Sequence, residues 1–299
     1  MRLFPYWIYT YREGEIVVVN AATTKIHYAF CLIIAALITL VYLQVFRGLI
    51  YDWSTNPDYS HGFIVPFIAA YMVWSRKDVL KKDVYDPSNW GLLILVVGLV
   101  QFISGYIGAE HFLQSTSLLF VLMGAVIFLA GFYVARIVLV PIVFLIFMIP
   151  LPAIIWNDFA FNLKLFATKV AVYFIDFLGM AVHRQGNVIY LPGNVLEVVD
   201  ACSGLRSLIS LLALGVLIAY FSPLRAWRRW VLIFSAIPIA ILSNVIRLIT
   251  TAFLTQKIGL RATEGIYHTL SGVFVFAIGV AMFLLVYWLL SFPKKRQVT

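Results

Sequence analysis

The segment Leu196-Glu-Val-Val-Asp-Ala-Cys202-Ser-Gly-Leu-Arg206 marks the point where a β-like stretch ends and a long apolar helix begins. This change of pattern predicts that Cys202 lies at the N-terminal end of the helix. At such a position, unpaired backbone N–H groups and the positive end of the helix dipole lower the pKa of a thiol. Because the thiolate is the form that attacks carbonyl carbons, Cys202 is a candidate nucleophile. The alternative for a cysteine in an apolar chain is inert packing.

The composition assigns the chain to the membrane. Of the 299 residues, 63% are hydrophobic and only 12% are charged, a ratio that a soluble domain does not tolerate on its surface. Apolar runs near the length of a bilayer crossing recur throughout, and we predict an all-α polytopic fold formed by one transmembrane domain over residues 1–299, without a C-terminal soluble domain. The predicted transmembrane helices number about eight, at residues 28–48, 62–75, 90–107, 113–131, 134–152, 203–221, 229–252 and 268–291.

Basic residues orient these helices. The positive-inside rule assigns the loops rich in lysine and arginine to the cytoplasm, and an even number of crossings then places both termini there. The net charge of +9 is divided among short loops. This distribution favours binding to anionic lipid headgroups over binding to nucleic acid. The basic residues in question are Lys25, Arg76, Lys77, Lys81, Lys82, Arg136, Arg225, Arg228, Arg229, Lys294, Lys295 and Arg296. The extracytoplasmic loops of this plasma (inner) membrane protein would carry Asp52, Asp58, Glu110 and the segment around Asp200.

Residues 157–180 are apolar enough to be a ninth crossing, but a crossing there would move the Arg225 cluster to the outside. At 100° per residue, one face of this segment carries Asp158, Asn162, Lys169 and Asp176, with Tyr173 beside it. Lys164 departs from that stripe. We therefore predict an amphipathic helix that lies along the outer interface.

A short β-hairpin is predicted between this helix and Cys202. Two β-prone runs flank Pro192-Gly193-Asn194, which has the composition of a turn. The hairpin either caps the helical bundle or pairs with an extended peptide by strand addition, which would present a backbone carbonyl to the thiol.

Two further polar residues are predicted at the outer edge of the membrane. Arg247 lies about 27 Å along the seventh predicted span from the cytoplasmic Arg229. A buried arginine in a span usually has a functional role, although snorkelling to the interface is the alternative. Asn244, one turn earlier, could orient the guanidinium, and His268 opens the last span at the same edge. Histidine suits proton transfer near neutral pH, but it is also common as an interfacial residue.

These residues form a set suited to acyl transfer. Cys202 would attack a peptide carbonyl, His268 would take and return protons, and Arg247 would stabilise the oxyanion. Arg206 could contact the substrate or lower the pKa of the thiol. This chemistry requires no metal and no other cofactor.

The order and spacing of these elements resemble the exosortase/archaeosortase family of integral-membrane cysteine transpeptidases. The matching motifs are Tyr59-Ser60-His61-Gly62, the region from Gly186-Asn187 to Gly193, Ala201 to Arg206, Asn244 to Arg247, and His268 with Ser271-Gly272. The resemblance implies that Cys202, Arg247 and His268 form the catalytic triad. It also implies a substrate: an exported protein with a C-terminal signal made of a short motif such as Pro-Glu-Pro, a hydrophobic span and a basic tail. The acyl group would pass to an amine acceptor. The extra C-terminal domain of some relatives, linked to exopolysaccharide systems, is not expected here.

Two other functions are compatible with parts of the sequence. A metal-dependent intramembrane protease would use histidines on the outer side, namely His61, His111, His183 and His268, but their spacing matches no known ligand motif. A non-enzymatic transporter or exopolysaccharide-export component would suit Arg247 and the helix-breaking Pro141, Pro150 and Pro152, but no internal repeat is visible. Zinc dependence would indicate the first function, and full function of a Cys202→Ala variant would indicate the second.

Overall fold

The structure is a computed structural model that describes residues 32–80, 86–198, 204–259, 261 and 265–292, without the side chains of Ile266, His268 and Thr269. The chain divides into two compact units, Met1–Pro150 and Leu151–Thr299. Several residues used in the predictions lie outside the described part, namely Lys25, Lys81, Lys82, Asp200, Cys202, Lys294, Lys295 and Arg296. Cys31, the other of the two cysteines in the sequence, also lies outside it.

The described part of the first unit is helical throughout. Its elements are α1 (Leu32–Val41), α2 (Leu43–Thr55), a 3-10 helix (Pro57–Phe63), α3 (Val65–Trp74), α4 (Lys77–Leu80), α5 (Trp90–Ile107), α6 (His111–Phe144) and a second 3-10 helix (Leu145–Met148). The axes of α1 and α2 differ by 63° at Tyr42. Tyr42 is fully buried, and its hydroxyl hydrogen-bonds the Ser117 hydroxyl on α6 at 2.8 Å. This contact anchors the bend to the rest of the unit.

Helix α6 is interrupted at Gly131, whose φ of 88° and ψ of 178° are not helical. Together with the 3-10 helix it has 38 residues, which would rise about 57 Å, nearly twice the thickness of a hydrocarbon core. The backbone N–H groups of Asp86 and Ser88 donate to the carbonyls of Ala130 and Ile127, at 3.3 and 3.2 Å. These bonds satisfy acceptors that the interruption leaves without helical partners. The predicted spans 113–131 and 134–152 lie on the two sides of this break.

Glycines bring α5 and α6 together. A Cβ atom at Gly91 would collide with the backbone of Phe128, and one at Gly124 would lie 2.5 Å from the backbone nitrogen of Leu95. Gly98 likewise faces Val121. Small residues that allow close backbone approach are typical of helix pairs in membranes, where dispersion contacts replace the hydrophobic effect.

The second unit combines helices with a small sheet. Its elements are α7 (Ala153–Phe177), β1 (His183–Gln185), β2 (Val188–Leu191), β3 (Asn194–Glu197), α8 (Leu205–Phe221), α9 (Ala226–Ile258) and α10 (Gly265–Ser291). The strands form an antiparallel sheet of order β1-β2-β3. The predicted hairpin is confirmed as β2 and β3, which pair around Pro192-Gly193. β1 was not predicted, although Gly186-Asn187 also has a turn composition.

Helix α7 is amphipathic as predicted. Its predicted polar stripe is exposed, and it comprises Asp158, Asn162, Lys169, Tyr173 and Asp176. Lys164 is instead buried on the opposite face, in line with its departure from the stripe. That face packs against the sheet and α9 in one hydrophobic cluster. The buried residues of this cluster are Ala167, Ala171, Ile175, Ile189, Leu191, Leu196, Val198, Val245, Leu248 and Ala252. The location of α7 at the membrane interface stays a prediction.

The described helices show a mostly helical membrane protein, but they do not confirm about eight crossings. Four segments are long and apolar enough to cross a bilayer, or five if α1 and α2 form one bent span. Two predicted spans fall short: α3 has 10 residues and α8 has 17, which rise about 15 and 25 Å against about 30 Å of hydrocarbon. The segment from His111 to Met148 counts once despite the break at Gly131.

Candidate active site

Helices α8, α9 and α10 contact one another, and arginine side chains define one end of this three-helix group. Nη1 of Arg228 donates to the carbonyls of Leu290 and Phe292, at 2.7 and 3.3 Å, where α10 ends. Nη2 of Arg229 donates to the carbonyl of Ser222, at 3.0 Å, where α8 ends. Cations at helix C-termini satisfy free carbonyls and oppose the negative end of the dipole. The start of α8, the later turns of α9 and the start of α10 therefore lie at the opposite end of the group.

At that opposite end, the first turn of α8 lies directly against Asn244 of α9. Gly204 precedes α8 with a φ of 83°, in the left-handed region that favours glycine. A Cβ atom on Gly204 would lie 2.9 Å from both Cβ and Cγ of Asn244. The Asn244 side chain is only 3% exposed. Glycine is thus required here both by the backbone conformation and by the closeness of the asparagine.

Helix α10 meets the same region through a second glycine. A Cβ atom on Gly279 would lie 3.1 Å from Oγ of Ser243 and 3.3 Å from Cδ1 of Leu211 on α8. Ser243 is 1% exposed, and within the described part of the chain its hydroxyl has no hydrogen-bond partner. The three helices therefore converge within about one turn of Asn244.

Arg247 lies one turn beyond Asn244 and is half-buried. On a helical wheel of α9, it falls between Ser243, which faces α10, and Asn244, which faces the start of α8. Since α8 begins at the level of Asn244, Arg247 lies just beyond the N-terminus of α8, on the side between α8 and α10. Arg206 is exposed in the first turn of α8.

Cys202 lies outside the described residues, but the chain on either side of it is described. Val198 is buried in the cluster that contains Val245 and Leu248, and Gly204 lies against Asn244. The flank after the gap therefore meets α9 at Asn244, one turn from Arg247, and the flank before it is buried in the cluster that α9 shares with α7 and the sheet.

His268 belongs to the first turn of α10, and its side chain is outside the described set. It lies about three turns from Gly279, whereas Arg247 lies about one turn from Ser243 on the antiparallel α9. The backbones of these two residues are thus at the same end of the helix group, but about 10 Å apart in depth.

Two further polar residues on this face of α9 were not predicted. Thr255 is fully buried, and its hydroxyl has no hydrogen-bond partner among the described residues. On the wheel, Thr255 and Thr251 lie on the same side of the helix as Asn244. The spacing of Asn244, Thr251 and Thr255, at i, i+7 and i+11, could have indicated a continuous polar face.

The Tyr59-Ser60-His61-Gly62 motif has a structural role in the first unit. Nε2 of His61 hydrogen-bonds the carbonyl of Phe147 at 3.0 Å, and Nε1 of Trp53 donates to the carbonyl of Met148 at 2.8 Å. A Cβ atom on Gly62 would collide with the indole of Trp53. The motif thus holds the two 3-10 helices of that unit together. Among the described side chains, no group of three or more His, Cys, Asp or Glu residues is placed to bind a metal ion.

Comparison with known families agrees with these motifs. A family model described as transmembrane exosortase matches residues 53–286, well over half of the chain. The chain therefore belongs to the transmembrane exosortase family, and the predicted resemblance is confirmed. No curated protein and no solved structure matches it.

Proposed function

We propose that this exosortase-family protein is a membrane-embedded cysteine peptidase or transpeptidase that removes C-terminal sorting signals from exported proteins. Family membership supports a role in protein sorting at a membrane. The observation that carries the chemical part of the proposal is the contact between Gly204 and Asn244. It brings the cysteine motif and the Asn244–Arg247 motif, about 40 positions apart in the chain, to one place.

Cys202 is the nucleophile of this reaction. It precedes Gly204 by two positions, at the start of an apolar helix, where the dipole of α8 favours the thiolate. The thiolate attacks the scissile carbonyl, the carbon–nitrogen bond breaks, and the upstream part of the substrate remains on sulfur as a thioester. An amine acceptor, or water, then releases it.

Arg247 stabilises the oxyanion that forms at the attacked carbonyl. Its position just past the start of α8 supports this role, since a guanidinium presents paired donors in a fixed plane. The buried Asn244, one turn away on the same helix, positions the Arg247 side chain. Arg206 is exposed beside the same helix start, which suits contact with the substrate.

His268 accepts a proton from the thiol and donates one to the leaving amine. It starts α10 at the same end of the helix group as Arg247, but at greater distance from the α8 terminus.

The reaction takes place at the extracytoplasmic face. Helix α9 has 33 residues and rises about 50 Å, so it is longer than about 30 Å of hydrocarbon. If α9 enters near the basic Arg228 and Arg229, the turns after about Leu248 extend beyond the hydrocarbon. The substrates are exported proteins with a tripartite signal of motif, transmembrane helix and basic tail, which is held in the same bilayer as the enzyme.

The test compares the C-termini of exported proteins in cells that express the native protein, Cys202→Ala, Cys202→Ser or Cys31→Ala. We expect full-length precursors to accumulate with both Cys202 variants, because a serine hydroxyl is too weak an acid to replace the thiolate without a stronger base. Cys31→Ala is the matched control and retains processing. Normal C-termini in the Cys202→Ala cells would contradict the proposal.

A further inference from the structure

The sheet of the second unit has an edge strand, β3, that pairs on one side only among the described residues. The N–H of Val198 donates to the carbonyl of Asn187 at 3.0 Å, which fixes the alternation of the antiparallel ladder. By that alternation, the backbone groups of Asn194 and Leu196 point toward β2. The N–H and C=O groups of Val195 and Glu197 point away from the sheet.

One face of this edge strand is anchored in the core of the unit, and the other face is exposed. Leu196 is 5% exposed and anchors β3 in the cluster with α7 and α9, whereas Val195 is 52% exposed. Tyr190 lies opposite Val195 on β2 and is also exposed. Edge strands are usually protected by proline, charged residues or a bulge; β3 contains no proline, and its one charged residue is Glu197 at its last position. Among the described residues, no second strand pairs with its outward backbone groups.

The edge leads to the candidate active site. Val198 follows β3 directly and is buried with Val245 and Leu248, on the turn of α9 that carries Arg247. β3 ends five positions before Cys202, so a chain paired in parallel with β3 would run toward the proposed nucleophile.

We propose that β3 binds the segment of the exported protein just upstream of the scissile bond, as an added fourth strand. This inference rests on the proposed function. The segment downstream of the bond leads into a membrane-spanning helix, whose backbone groups are satisfied internally. Only the upstream segment is extended and has free backbone groups to pair.

The direction of the added strand follows from connectivity. β3 runs toward Cys202 in the chain, and the upstream segment of the substrate runs toward its scissile bond, so the two strands are parallel. Backbone pairing tolerates many sequences, while alternate substrate side chains contact Val195 and Tyr190. Recognition upstream of the cleavage site then depends on extended conformation and on an alternating apolar pattern.

Proline variants test the backbone contact. The probe is the precursor protein that accumulates in Cys202→Ala cells. Val195→Pro removes an outward N–H and leaves the β2–β3 ladder intact, so we expect processing of this precursor to slow at least tenfold. Val195→Ala keeps the N–H and should lose at most threefold. Arg184→Pro is the matched control, because the N–H of Arg184 points outward from the opposite edge, at β1, and it should process normally.

Disulfide cross-linking provides a second readout that does not depend on turnover. Val195→Cys is placed in a Cys31→Ala, Cys202→Ala background, and single cysteines are placed along the upstream segment of the precursor. We expect cross-links at every second position, the period of a strand. Cross-links without that period, or none in a membrane-inserted protein, would overturn strand addition, as would equal processing by Val195→Pro and Arg184→Pro. Processing by the Cys202→Ala protein would instead refute the proposed function itself.

Discussion

At the scale of single residues, the site is organised around Asn244. Its amide is 3% exposed and is flanked on α9 by the buried Ser243 and the half-buried Arg247. Burying an amide in an apolar bundle is unfavourable unless hydrogen bonds compensate for the lost hydration. The contact with Gly204 gives the amide a fixed place. The sequence indicates these polar residues individually, but a contact between positions 204 and 244 depends on how α8 and α9 pack.

Substitution of Arg247 by lysine distinguishes a catalytic role of this residue from a role as a membrane anchor. Lysine has a similarly long stem and a positive head, so it should replace an arginine that merely snorkels to the interface. A lysine does not present the paired planar donors that an oxyanion requires. We expect Arg247→Lys to insert normally but to process precursor about a hundred- to a thousandfold more slowly, because that is the typical loss for one oxyanion donor. Rates come from pulse–chase labelling, and near-native turnover by Arg247→Lys would leave Arg247 with an anchoring role only.

Gly204 tests the packing of α8 against α9. Gly204→Ala introduces a Cβ within 2.9 Å of Asn244 at a φ of 83°, so we expect at least a tenfold loss of processing. Gly179→Ala is the matched control, because Gly179 has a φ of 87° and nothing within 4 Å of the added Cβ. It carries the same type of backbone strain without the collision and should process nearly as well as the native protein. Equal losses in the two variants would mean that the asparagine contact is unimportant.

At the scale of secondary-structure elements, the apolar pattern predicts some helices well and others poorly. The predicted span 90–107 coincides with α5, and Gly131, where α6 is interrupted, is the last residue of the predicted span 113–131. The bend at Tyr42 was not predicted, because it depends on a hydrogen bond to Ser117, 75 positions away. The short strand β1 was missed for a similar reason, since three residues become a strand only by pairing with β2.

The close contact between α5 and α6 predicts that alanine destabilises the protein at Gly124, inside the contact, but not at Gly48, outside it. Gly124→Ala places a Cβ against the backbone of Leu95, so we expect a loss of about 1–3 kcal/mol in the free energy of unfolding. Gly48→Ala on α2 meets nothing within 4 Å and should be neutral, or stabilising by up to about 1 kcal/mol through helix propensity. Unfolding of the detergent-solubilised variants measures both. A stability of Gly124→Ala equal to that of Gly48→Ala would contradict the close helix contact.

At the scale of the whole molecule, the topology stays a prediction made from the distribution of basic residues. The bonds of Arg228 and Arg229 to the ends of α10 and α8 mean that residues expected in the cytoplasm also cap two helices. This double role was not visible in the sequence, where these arginines served only as topology markers. The predicted number of about eight crossings is not confirmed, because α3, with 10 residues, and α8, with 17, are too short to cross alone and the break at Gly131 leaves two predicted spans in one helix.

Reporter fusions test this topology. Fusions within residues 181–200 and 256–266 should report an extracytoplasmic location, since basic residues are concentrated in the other loops. Fusions at residues 77–85, at 223–228 and at the C-terminus should report the cytoplasm. A cytoplasmic result for the hairpin region, beside an extracytoplasmic one for 256–266, would separate Cys202 from His268 and contradict the proposed mechanism.

The most direct test of the central claim is to trap the acyl-enzyme. Purified protein is mixed with the accumulated precursor, without an amine acceptor, and the covalent products are separated under denaturing conditions. We predict a covalent adduct of the enzyme and the upstream part of the precursor that hydroxylamine releases, and whose peptide attachment maps to Cys202. The Cys31→Ala protein should form the adduct and the Cys202→Ala protein should not. Cleavage of the precursor by the Cys202→Ala protein, or an adduct on another residue, would contradict the claim that Cys202 is the nucleophile.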